Sequence, residues 1–103
     1  MGATEDVAVM SAALKLGVPV ATLGNKILAV SPDQGLTELI PVGMARAWLC
    51  LPLFLDGNTL AVAVADASDK ILLADLARHT HREIQPFAAS RAEILIVIAR
   101  AYN

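Results

Sequence analysis

The sequence predicts an α+β fold, an α/β sandwich in which N-terminal helices precede a β-β-α-β-α run and helices pack on a three-stranded sheet. Three observations carry this. Cys50–Leu55 and Thr59–Ala65 are apolar, strand-like runs on either side of Asp56-Gly57-Asn58, where glycine and asparagine supply positive φ for a tight turn. Asp66-Ala67-Ser68-Asp69 breaks the second run and opens a stretch of helical period. Ser90-Arg91-Ala92-Glu93 is a capping box ahead of another. A length of 103 residues fits one domain, with a helix and an extended or loop segment over 1–35 and a compact ββαβα core over 36–103.

Taken in order, residues 1–6 are polar and read as a loose terminus. Val7, Met10, Ala13, Leu14 and Leu16 fit a short helix that Gly17 stops. Pro19 then enforces extended backbone over Val18–Leu23. Residues 24–35 carry Gly24, Asn25, Ser31, Pro32, Asp33 and Gly35, which is loop chemistry. Ser31 followed by Pro32 is also a helix opening, so a short helix is expected over about 32–40. Pro41 ends it, and a helix over about 42–48 carries Met44, Ala45, Ala47 and Trp48 towards the core.

In the second strand Leu60, Val62 and Val64 alternate with Ala61, Ala63 and Ala65, so both faces are apolar and the strand is central. Its alanine face admits close packing. Ile71, Leu72, Ala74 and Leu76 supply the apolar residues of a helix over about 69–79, and Leu73 is a candidate outward residue. Glu83–Ala88 is the third strand, with Ile84 and Phe87 as its main apolar residues and Pro86 marking an edge. The last helix spans about 91–102. Ile94, Leu95, Val97, Ile98, Ala101 and Tyr102 cover a wide face, and Ile96 falls opposite, near Arg100 and Ala92.

Composition narrows the function. The chain is 56% hydrophobic but only 4% aromatic, which excludes disorder and argues against a deep aromatic pocket. The longest uninterrupted apolar runs, Leu60–Ala65 and Ile94–Ala99, fall far short of the ~20 residues of a membrane span. No direct membrane insertion is expected, and the absence of a signal-peptide pattern makes a cytoplasmic location the default. The net charge is −2 and the basic residues are scattered, so no nucleic-acid partner is expected.

The chemistry-bearing residues each have a plainer role. Asp66 and Asp69 could hold Mg²⁺ or act as acid and base, but a helix start favours carboxylates as caps. His79 and His81 form an H-x-H pair with only Glu83 nearby as a third ligand, and exposed turn histidines fit better. Cys50, the lone cysteine, could serve as a nucleophile with a histidine, yet among leucines it reads as a small buried hydrophobe. Ser11, Ser31, Ser68 and Ser90 lack a nucleophile-elbow context. No phosphate loop and no GxGxxG occur, so no enzyme activity and no cofactor are expected.

Residues 36–102 resemble the N-terminal domain of the type II secretion and type IV pilus assembly ATPases. The matching features are Leu39-Ile40-Pro41 with the short helix after it, Leu51-Pro52-Leu53, the turn at 56–58, Leu60-Ala61-Val62-Ala63, the Asp66–Asp69 break and a closing helix ending in Tyr102. AALKLGVPVATL (12–23) is similar to that family's upstream segment. Ala67 stands where the family usually has proline, and no Walker motif follows. The resemblance implies a non-catalytic bacterial accessory domain that docks on a cytoplasmic or inner-membrane-associated protein of a secretion or pilus machine, or of a related signalling system. Ile96, Leu73 and Arg100 are the candidate partner-contacting residues. Some members of that family bind cyclic di-GMP through a tandem motif beginning R-L-G. Lys15-Leu16-Gly17 through Val20, Ala21 and Gly24 match the spacing of its first half, but Asn25 and Lys26 are polar where aliphatics are required and no second copy exists. A cyclic di-GMP sensor is therefore the alternative reading.

Overall fold

The two strands around Asp56-Gly57-Asn58 form the hairpin that organises the molecule. The computed structural model describes residues 10, 11, 13–31 and 35–102. Strand β1 (Cys50–Asp56) pairs antiparallel with β2 (Thr59–Val64), and Asp56 opposite Thr59 is the last pair before the turn. Gly57, at φ 63, is the turn's positive-φ residue. Asn58 does not share that conformation, so one of the two expected residues carries the turn. A bulge at Leu53 separates the Pro52–Val62 pair from the Phe54–Ala61 pair.

Strand β3 (Glu83–Ala88) joins β2 in parallel, giving a mixed sheet of order β1-β2-β3. β2 is central, as its two apolar faces predict, and Leu60 through Val64 are all buried. The alanine face has a specific occupant. Phe54 lies opposite Ala61, and Phe87 lies beside Ala63. Their rings meet edge to face with centroids 6.1 Å apart, a geometry that larger side chains on β2 would obstruct.

Pro86 sits where a missing N–H does no harm. The N–H groups of Glu83 and Ala89 donate towards β2, to the carbonyls of Asn58 and Val64. Residues of the other parity point outward, and Ala88 N donates to Pro19 O at 2.8 Å. Pro86 shares that parity, so the β2 ladder loses no donor. The expected edge character holds at Pro86, but at the end of β3 the segment near Val20 is bridged to Ala88, and Ala21 N donates to Ala88 O at 2.9 Å. The extended stretch after Pro19 thus adds a short fourth rung.

Helix α1 is described at residues 10, 11 and 13–16 and ends at Gly17, φ 70. The expected loose terminus at 1–6 and the helix start at Val7 lie outside the described residues. α2 (Leu36–Leu39) is shorter than expected and is capped by Gly35 in the left-handed region, so Ser31 does not open it. Residues 32–34 lie outside the described residues. α3 (Val42–Trp48) occupies the expected span, and Pro41 O accepts from Ala45 N. Ala45 is buried, whereas Ala47 faces solvent, contrary to expectation.

α4 (Lys70–Thr80) is capped by Asp69 and packs along β3. Its inward residues are Leu72, Leu73 and Leu76. Ile71 is 76% exposed and Ala74 is also exposed, which corrects their expected inward placement. α5 (Arg91–Ala101) packs with α3 over β1 and β2. Ile94, Val97 and Ile98 enter the core, and the Tyr102 hydroxyl donates to Ile40 O. Leu95 was expected in that core face but lies at 44% exposure on the outer side. Ala21 and Leu28 join the buried cluster built on β1 and β2, so the N-terminal segment is packed onto the sheet-and-helix core. Among the described residues, no helix is long and apolar enough to cross a membrane.

Candidate functional site

The acidic residues at the start of α4 are held in structural roles. Asp69 Oδ1 accepts from Leu72 N at 3.0 Å, and Asp66 Oδ1 accepts from Ser68 N at 3.0 Å. Both carboxylates therefore satisfy backbone donors at the start of α4, where the helix dipole also favours negative charge. His81 is the C-cap of α4 at φ 57, and His79, His81 and Glu83 are all exposed. Among the described residues, no group of three His, Cys, Asp or Glu gathers to hold a metal ion. Cys50 is fully buried, and burial pushes its thiol up to about 12. A thiol that stays protonated at neutral pH is a poor nucleophile.

The segment with the R-L-G-like spacing is built around Asn25. Its Oδ1 accepts from Thr22 N and Ile27 N, both at 3.0 Å, and its Nδ2 donates to Val20 O at 3.0 Å. Thr22 Oγ1 accepts from Asn25 N at 2.9 Å. An aliphatic residue at this position could make none of the three side-chain bonds, which explains the departure from the expected motif. Lys15 and Lys26 are exposed, and Lys26 holds φ 64.

The capping box of α5 does more than cap. Ser90 Oγ accepts from Glu93 N at 3.2 Å, as expected. Glu93 does not simply reach back within the box: its Oε1 accepts from Leu23 N at 3.3 Å. This ties the N-terminal segment to α5. Beside the tie, a groove of about 250 Å³ is lined by Leu23, Leu28, Val30, Val97, Arg100 and Ala101.

The outer face of α5 is the candidate surface. Ala92, Leu95, Ile96 and Ala99 recur at helical spacing and are all exposed, with Leu95 at 44% and Ile96 at 43%. Arg100 is exposed on the flank of this stripe next to Ile96, and it also lines the groove. Of the three residues singled out from sequence, Ile96 and Arg100 therefore share one helix face. Leu73 does not belong with them: it is half-buried on α4 and packed against the core. Sequence reasoning missed Leu95, although its one-residue offset from Ile94 and its i, i+4 relation to Ala99 place it on the outer stripe.

Comparison with known proteins identifies the family and the fold. Residues 16–103 match the MshEN domain model. The chain belongs to the MshEN domain family, which is the N-terminal domain type of secretion and pilus ATPases that the sequence resembles. Among solved structures, the N-terminal domain of XpsE superposes in two crystal forms. One has TM-score 0.82 and 18% identity, covering 95% of this chain and 66% of that one. The other has TM-score 0.83 and 18% identity, covering 96% and 67%. MshE with cyclic di-GMP superposes with TM-score 0.74 and 24% identity, covering 87% and 63%. At these identities the likeness is one of fold. The chain spans about two thirds of the length of those solved chains. No curated protein matches.

Proposed function

We propose that this chain is a non-catalytic, cytoplasmic interaction and regulatory domain that docks, through the outer face of α5, on a protein of a secretion or pilus machine. Its 103 residues act as one domain, with 36–103 as the compact core. The observation that carries this reading is the solvent-exposed apolar stripe Ala92, Leu95, Ile96 and Ala99 on a helix whose opposite face is already fully used by the core. Family membership supports the kind of partner. Asp66 and Asp69 accept from backbone donors and Cys50 is buried, which supports the non-catalytic reading.

The test is affinity capture from bacterial cytoplasm and inner membrane with the folded chain as bait. Wild type should recover an identified secretion or pilus component, and Ile96→Asp should lose it while keeping its unfolding midpoint. A well-folded wild type that recovers none defeats the reading.

Cyclic di-GMP sensing is the second reading, favoured by the likeness to MshE with cyclic di-GMP and by exposed Lys15 in the Lys15-Leu16-Gly17 run. Calorimetry decides it. Heat that saturates at one ligand stoichiometry and shrinks in Lys15→Ala supports a sensor; no heat at tens of micromolar protein removes it.

A further inference from the structure

We propose that residues 22–30 form a flap that swings as a preformed unit between Ala21 and Ser31, uncovering a cleft that the closed form divides in two. Both ends are fixed to the sheet by backbone bonds. Ala21 N donates to Ala88 O at 2.9 Å, and Ser31 N donates to Leu53 O at 3.0 Å. Between these ends the segment bonds largely to itself. Asn25 Oδ1 accepts from Thr22 N and Ile27 N, both at 3.0 Å. Lys26 N donates to Leu23 O and Leu28 N to Thr22 O, both at 3.3 Å. These bonds travel with the flap, so a swing leaves their donors satisfied. The bond from Asn25 Nδ2 to Val20 O, at 3.0 Å, sits at the Ala21 end, where a swing displaces atoms least.

Two contacts latch the flap to the core. Leu23 N donates to Glu93 Oε1 at 3.3 Å, and Leu28, 2% exposed, is the one buried side chain of residues 22–30. Space is left unfilled on both sides of that plug. A groove of about 250 Å³ lies towards α5, with Val97 and Ala101 in its wall. Another of about 400 Å³ lies towards β1, with Leu53 and Phe54 in its wall. Ala29 and Val30 line both grooves, so lifting the flap joins them into one cleft and uncovers Val97. A segment with one buried side chain and mostly internal hydrogen bonds loses little on opening. The β2 residues Leu60 through Val64, all buried, lose far more, so the flap opens while the sheet stays closed.

The test uses the buried Cys50 as an internal reference for global unfolding. Val97→Cys places a second thiol under the flap, and an aromatic-disulfide reagent reads how often each thiol is uncovered. Ala101→Cys, in the wall of the same groove, replaces it if Val97→Cys lowers the unfolding midpoint. The introduced thiol should react at least about tenfold faster than Cys50, because a local opening is more populated than the global one. Adding Glu93→Ala or Leu28→Ala should speed the introduced thiol severalfold more than Cys50. Glu93→Gln, which keeps an acceptor oxygen for Leu23 N–H, should restore the slower rate. Hydrogen exchange tests whether the flap moves as a unit: Glu93→Ala should speed the Leu23 amide more than the Ile27 amide, whose bond to Asn25 travels with it. Equal reaction of the two thiols, or the same acceleration of both by Glu93→Ala, overturns the proposal. So does equal acceleration of the Leu23 and Ile27 amides, which would mean that the segment unravels.

Discussion

At the scale of residues, two helices end on non-glycine residues in the left-handed region, Leu49 at φ 49 and His81 at φ 57. Leu49 is half-buried and turns α3 directly into β1, whereas His81 is exposed. His81→Gly is therefore expected to stabilise the fold by about 1 kcal/mol, raising the thermal midpoint by about 4–8 °C. An unchanged or lower midpoint in calorimetry would show that the histidine side chain contributes where it sits. Cys50 and Tyr102 set the alkaline limit. Burial raises the thiol from its ordinary 9.0 to about 12, and burial with the nearby Cys50 charge raises Tyr102 from 10.0 to about 12. Below pH 9 folded and unfolded chains hold both protons alike. From there towards pH 12 the unfolded chain ionises first, so stability should fall as pH rises. Denaturant unfolding across that range checks the sign, and Cys50→Ala should flatten the slope nearest pH 9. In the same spirit, an aromatic-disulfide thiol reagent should leave Cys50 unmodified until the chain unfolds.

At the scale of elements, α5 shows what a sequence can and cannot disclose. It carries two apolar stripes at helical spacing, Ile94-Val97-Ile98-Ala101 and Ala92-Leu95-Ile96-Ala99. Periodicity alone reveals both, and only packing against α3, β1 and β2 decides which is core. That is why Ile96 was legible as outward and its neighbour Leu95 was not. On α4 a similar ambiguity placed Ile71 inward and Leu73 outward, the reverse of the structure, because the helix rests along β3 on its Leu72-Leu73-Leu76 side. The hairpin, β3 and the caps Asp69 and Ser90 were legible because turn and cap chemistry is local. The Glu93–Leu23 tie was not, since it joins residues 70 apart in sequence. The two stripes give a paired expectation. Ile96→Asp should change the unfolding midpoint little, whereas Ile98→Asp, burying a charge, should abolish folding. Equal damage from both would put Ile96 in the core. On β2, Ala63→Leu should cost roughly 1–3 kcal/mol by separating Phe54 from Phe87.

At the scale of the molecule, a segment from the N-terminal part adds a rung to β3, and the tie to Glu93 holds it against the last helix. Glu93→Ala should therefore speed amide exchange at Leu23 and its neighbours more than in β2, a local opening that hydrogen exchange resolves. Family and fold place the chain with the MshEN domains, and the outer face of α5 is one of the apolar surfaces that the core leaves exposed among the described residues, beside Leu14 on α1 and Ile71 on α4. The measurement that bears most directly on this account is affinity capture with wild type beside Ile96→Asp and Leu95→Asp, each verified as folded. Recovery of an identified secretion or pilus component by wild type, and its loss in both variants, is the expected result. Recovery at equal strength by all three would place the docking site elsewhere and contradict the account.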